Sequence, residues 1–135
     1  MIISALNFPG NERMVLELAL RGRFELFLSW FILGEVSRVL TRRFGWTQER
    51  AVRAISVLQN AANVIEPPRL AEVIEDSHAA NPVLECAVAA NADCLVAGDR
   101  GRLLHLWEHR GTRIVNAPRF LSMLSKRSVS VVRRI

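Results

Sequence analysis

The sequence predicts one α/β domain built on a parallel sheet. Three observations carry that prediction. Strand-like apolar runs alternate along the chain with segments of helical periodicity. The strands, such as "DCLVAGD" and "TRIVNAP", are too apolar to leave one face in water, as expected of a sheet covered on both sides. The chain has 135 residues, half of them hydrophobic and under a quarter charged, which suffices for a single buried core and excludes disorder. Neither an internal repeat nor a linker interrupts it.

Taken in order, the opening run "MIISAL" reads as a strand closed by the turn residues Pro9 and Gly10. In "NERMVLELALRGR", Asn11 is placed to cap a helix with Met14, Val15, Leu18 and Ala19 at helical spacing, and Gly22 to stop it. "FELFLS" is a short strand. Ser29 can cap the next helix, "WFILGEVSRVLTRRFG", which ends at Gly45. Thr47 opens a third helix, "TQERAVRAISVLQNAA", and "NVIEPP" is a strand closed by two prolines. After the polar stretch "EDSHAAN", Pro82 opens the helix "PVLECAVAANA". The buried strand "DCLVAGD", a short helix "GRLLHLWEHRG", the strand "TRIVNAP" and the helix "RFLSMLSK" complete the order.

The net charge is +5, from 18 basic and 13 acidic residues, and four of the basic ones fall in the last ten positions, "KRSVSVVRRI". This divides the chain into a domain over residues 1–124 and a basic, solvated tail over 125–135. The basic balance permits nucleic-acid binding without requiring it. No apolar run approaches the roughly 18 residues of a membrane span, and "MIISALNFPGN" lacks the basic region that opens a signal peptide. A cytoplasmic protein is expected, with Cys86 and Cys94 as buried free thiols.

In parallel sheets the ligand site lies beyond the carboxyl ends of the strands. That rule selects Ser29, Asp99 and Asn116. Asp99 stands out because it directly follows a buried strand and a glycine turn, although it could equally cap the helix after it. Glu35 is a single acid among Phe31, Ile32, Val36, Val39 and Leu40, costly to bury unless paired or bound to a cation. The alternative is an ion pair with Arg38 or Arg42 on the solvated side. Glu85 is likewise the one acid of an apolar helix, with Glu75 and Asp76 upstream. Carboxylates converging from several elements suit magnesium or manganese. His105 and His109 in "HLWEH" lack zinc-protease spacing and read as surface residues, as does His78. There is no glycine-rich phosphate loop and no serine nucleophile elbow. Trp30, Trp46 and Trp107 read as core or rim packing rather than as a base-stacking platform.

The stretch "NPVLECAVAANADCLVAGDRGRLLHL…RGTRIVNAPRFLSML" resembles the second half of PIN-domain proteins, and "MIISALNFPGNERMVLELALRGRFELFLSWFILGEVSRVL" resembles their first half. More narrowly, the chain is similar to the group that forms the toxin components of toxin–antitoxin systems, as far as about Leu124. The resemblance implies a Rossmann-like, three-layer α/β/α fold with a central parallel sheet. It implies acids that bind Mg²⁺ or Mn²⁺ to hydrolyse RNA, a cognate antitoxin and a homodimer. Residue by residue, Glu35 and Asp99 match the family's acids, Glu85 a recurrent helix acid, and Asn81 an asparagine beside a further acid.

Two departures accompany it. Family members usually begin with a strand ending Asp-Thr-Asn before a segment like "IISAL", and Met1 stands where the family often has valine. A valine codon read as a start would give this sequence, so the first strand and its acid are expected to be missing. Its two neighbours would then lack a partner. Before "NPVLECA", Ala79 and Ala80 stand where the family carries acids. Two of four expected core acids remain. The rival expectation is a degenerate module that binds RNA or an antitoxin without cleaving, or the product of a decaying gene.

Overall fold

The structure is a computed structural model that describes residues 1–66, 80–98, 104, 106–126 and 133–134. The elements follow in the order α1 (Ile2–Asn7), α2 (Asn11–Leu20), β1 (Glu25–Ser29), α3 (Trp30–Arg43), α4 (Gln48–Ala61), β2 (Ala62–Ile65), α5 (Ala80–Ala89), β3 (Cys94–Val96), β4 (Glu108–His109), β5 (Thr112–Val115), α6 (Ala117–Lys126) and β6 (Arg133–Arg134). Six strands form one sheet in the order β2-β1-β6-β3-β5-β4. All neighbours are parallel except the β4–β5 edge pair.

Local chemistry sets most boundaries. The Ser29 hydroxyl accepts from the Ile32 amide at 3.2 Å and Thr47 does the same for Arg50, each satisfying an amide that the first helical turn leaves without a partner. The Asn116 carboxamide caps α6 by accepting from Arg119 at 3.0 Å. α2 ends as the glycine predicts: Gly22 sits at φ 73°, and the amides of Gly22 and Arg23 fold back onto the carbonyls of Ala19 and Leu18. Asn11 is the first helical residue of α2 rather than its cap, which is Gly10.

Three further sequence expectations are corrected. The opening run is a helix, not a strand. Its apolar residues fall in the i,i+3 pairs Ile2/Ala5 and Ile3/Leu6, the first of them buried, and a run this short does not separate the two periods. The helix expected over "GRLLHLWEHRG" gives way at Glu108–His109 to β4, which turns back onto β5 through Arg110 and Gly111, both at positive φ (49° and 86°). Two such residues make the hairpin turn whose twist matches the flanking strands.

The third correction concerns the basic tail read over 125–135. α6 carries through to Lys126, and Arg133–Arg134 enter the middle of the sheet as β6. β6 pairs in parallel with Glu25 and Leu26 of β1 on one side and with Cys94 of β3 on the other. β6 thus lies between β1 and β3, although it comes from the far end of the sequence.

The core gathers Leu26 and Leu28 of β1, Leu95 and Val96 of β3, and Ile114 and Val115 of β5 with Val15, Leu16 and Ala19 of α2, Leu40 of α3, Leu58 of α4, Leu84 and Cys86 of α5, and Phe120 of α6. Phe120 meets Phe24 edge to face at 5.0 Å and 79°, closing the sheet under α6. Thr112, the buried polar residue of β5, donates to the Ala92 carbonyl at 2.7 Å and so is satisfied. Cys86 and Cys94 are both buried and form no disulfide, as expected.

Candidate functional site

A cleft of about 280 Å³ opens where β3 ends. Its walls are Met1–Ile3 at the start of α1, Phe31, Ile32, Glu35, Val36 and Val39 of α3, Val83 of α5, and Leu95–Gly98 leaving β3. Ser29 sets this geometry. By capping α3 at the carboxyl end of β1, it fixes the helix phase so that Phe31, Glu35 and Val39, four residues apart, form one stripe into the cleft. Gly98 closes the opposite side against α1; a Cβ there would lie 3.7 Å from the Met1 nitrogen.

Glu35 is the only ionisable side chain among the described lining residues, and it forms an ion pair with Arg38 one turn along. The i,i+3 pairing anticipated from the sequence is thus present, and it coexists with a place on the cleft wall. The pair is part-exposed, Glu35 at 30% and Arg38 at 49%, so solvent screens it. Asp99 follows Gly98 and lies outside the described residues, so the structure brings only its immediate neighbour to the cleft. Ala79, Glu75, Asp76, His78 and His105 also lie outside the described residues. Asn81 falls in the first turn of α5, but its side chain is outside the described set. Glu85 is half-buried on α5. The residue that α5 sends to the cleft is Val83, and two positions along a helix is about 200° of rotation, which turns Glu85 away from that wall.

Ser29 and Asn116, also selected by the strand-end rule, are occupied as helix caps. Ser29 is buried and additionally hydrogen-bonded to the Cys86 side chain. Burial pushes the Cys86 thiol up to about 12, with the Ser29 hydrogen bond pulling the other way. A thiol so held stays protonated and unreactive at neutral pH.

Magnesium requires several oxygen ligands in near-octahedral order. Among the described residues no group of three or more His, Cys, Asp or Glu side chains is placed to hold a metal ion. The described donors, one carboxylate already paired with an arginine in an apolar wall, do not by themselves fit a divalent cation.

Sequence reasoning passed over a second feature at the turn between α3 and α4. Phe8 and Phe44, 55% and 40% exposed, meet edge to face at 6.2 Å. Beside them, Arg50 stacks its guanidinium 3.8 Å over the Trp46 ring, and the Trp46 indole donates to the Asn7 carboxamide at 3.1 Å. Trp46 thus packs at the rim as expected, whereas Trp30 and Trp107 stand exposed at 48% and 71%. The available signal was the interleaving of arginine and aromatic residues in "RRFGWTQER".

Fold and cleft define an α/β protein with its candidate site at the carboxyl edge of a largely parallel sheet. The PIN-domain family model matches residues 1–101, well over half of the chain, and the chain belongs to the PIN-domain family, a nuclease-like family. Comparison with curated proteins and with solved structures gives no significant match. Among the described residues no helix is long and apolar enough to cross a membrane.

Proposed function

We propose that this chain is a PIN-family ribonuclease of the toxin type whose acidic site is incomplete. In this reading Glu35 and Asp99 are the metal-binding and catalytic acids, assisted by Asn81, while Glu85, turned from the cleft wall that Val83 lines, stays outside the set. Mg²⁺ or Mn²⁺ is the cofactor and RNA the substrate, in a cytoplasmic homodimer held inactive by a cognate antitoxin. Helices cover the sheet in layers on both faces. The observation that carries the reading is Glu35 on the wall of the cleft that Gly98 closes, one residue before Asp99, in a chain of this family. With so few donors, metal affinity is weak and turnover low.

The test is Mg²⁺- and Mn²⁺-dependent cleavage of a mixed-sequence RNA by the chain and its Asp99→Asn variant. Little cleavage is expected, all of it lost in the variant because an amide cannot supply an anionic ligand. Vigorous cleavage that survives Asp99→Asn would overturn the assignment. The apolar lining of the cleft and the Arg38 partner of Glu35 favour a second reading, a PIN module that binds RNA or an antitoxin without cleaving. Complete absence of metal-dependent cleavage together with retained RNA binding selects it.

A further inference from the structure

The turn between α3 and α4 combines three properties. It is aromatic, with Phe8 and Phe44 half-exposed and in edge contact. It is cationic: Arg42, Arg43, Arg50 and Arg53 are exposed, against the single acid Glu49 in the same stretch. Among the described residues none of these four arginines forms an ion pair; Arg50 instead lies flat on Trp46. The turn is also rigidly joined to the cleft. α1 begins against Gly98 and ends at Asn7, which the Trp46 indole grips, while Arg13 donates to the Ala5 and Leu6 carbonyls and fixes the end of α1 from the other side. Six helical residues separate the two places, about 9 Å at the usual rise.

Exposed phenyl faces in a soluble protein cost solvation unless something covers them. Arginines left without carboxylate partners around those faces favour a polyanion over an acid-poor protein surface. Aromatic faces beside cations are what unstacked bases and their phosphates need, whereas the bases of a duplex are already stacked on each other. We infer that Phe8, Phe44 and the Trp46–Arg50 stack form a platform for single-stranded RNA, with Arg42 and Arg43 contacting its phosphates. This deepens the proposed function and rests on its assignment of RNA. The platform engages bases on one side of α1, and the strand continues along α1 to the cleft.

The experiment measures fluorescence anisotropy of a labelled, single-stranded 12-nucleotide RNA in EDTA, which withholds the divalent ion that the proposed cleavage needs. The full chain is compared with Phe8→Ala/Phe44→Ala and Arg42→Ala/Arg43→Ala variants whose melting curves match it. Removing the two phenyl groups should weaken binding about tenfold or more without altering its salt dependence. Removing the two arginines should weaken binding and lower the slope of log affinity against log salt by about 1.4, since each phosphate contact on a single strand contributes about 0.7. Binding by the wild type that neither variant alters overturns the platform and leaves the RNA assignment standing. Failure of the wild type to bind any single-stranded RNA overturns both. Variant-sensitive binding in a chain that cleaves nothing upholds the platform while removing the nuclease. Preference for a duplex of the same sequence, insensitive to the phenyl groups, also overturns it.

Discussion

Replacing Arg134 with proline tests whether β6 holds the middle of the sheet. The backbone of Arg134 is in register with Leu26 on one side and Cys94 on the other, so it is the residue at which the two halves of the sheet meet. Proline removes its amide hydrogen and places a ring where a neighbouring strand runs. An acceptor left unsatisfied in a buried sheet costs about 1–3 kcal/mol. For 135 residues, the usual entropy of unfolding is roughly 0.28 kcal/mol per degree, so the loss becomes a fall in Tm of about 4–11 °C. Circular dichroism at 222 nm reads the melt. Arg134→Ala is the control, because it keeps the backbone hydrogen bonds and should stay within about 2 °C of the parent. A proline variant that melts together with the alanine variant and the parent would refute the reasoning, because β6 would then contribute nothing to the assembled sheet.

Two further outcomes follow from described contacts. The folded Cys86 thiol titrates near 12, above its unfolded value of about 9, so it adds stability that is intact below pH 9 and is lost as pH rises towards 12. Each unit in that window removes about 1.4 kcal/mol, and urea midpoints at pH 8, 9 and 10 should fall more steeply for the parent than for Cys86→Ala; equal slopes would show that the thiol does not stay protonated. Phe120→Ala removes a fully buried ring together with its contact to Phe24, and should cost about 3–5 kcal/mol by urea denaturation, with a loss under 1 kcal/mol excluding a packed α6.

What was legible in the sequence was chiefly what local chemistry decides. Ser29 and Thr47 could be read as caps, and Gly22 as a stop, because each acts on backbone groups within four residues. α1 was misread because five apolar residues fit either period, and packing against α2 and α3 settles the matter only in three dimensions. β4 was misread because the Arg110–Gly111 turn looks like the end of a helix until its partner strand is known. β6 was illegible for a different reason. Val129, Val131 and Val132 are β-branched, but the basic residues around them read as a solvated tail, and the partners of the strand, Leu26 and Cys94, are far away in sequence. In the candidate site, Glu35 was found because an acid among apolar residues is conspicuous, and its Arg38 partner because the spacing is local. The orientation of Glu85 away from the cleft needed the phase of α5, which the sequence left free by two residues at the helix start. The aromatic turn escaped because its exposure depends on what α1 and α4 leave uncovered.

The position of β6 also orders the events of folding. β1 and β2 can pair as soon as α3 and α4 have formed between them, and β3, β5 and β4 can pair among themselves later in the chain. Neither group contacts the other through the sheet except by way of Arg133–Arg134, which follow every other described strand. On a ribosome the N-terminal half therefore waits, with one side of β1 open, until the segment beyond Lys126 has emerged. The closing contact joins residues separated by most of the chain, the kind of pairing that slows folding because loop entropy is lost before the contact is gained. An open strand edge invites pairing with other chains, so the interval before β6 arrives is when a second nascent copy could insert in its place.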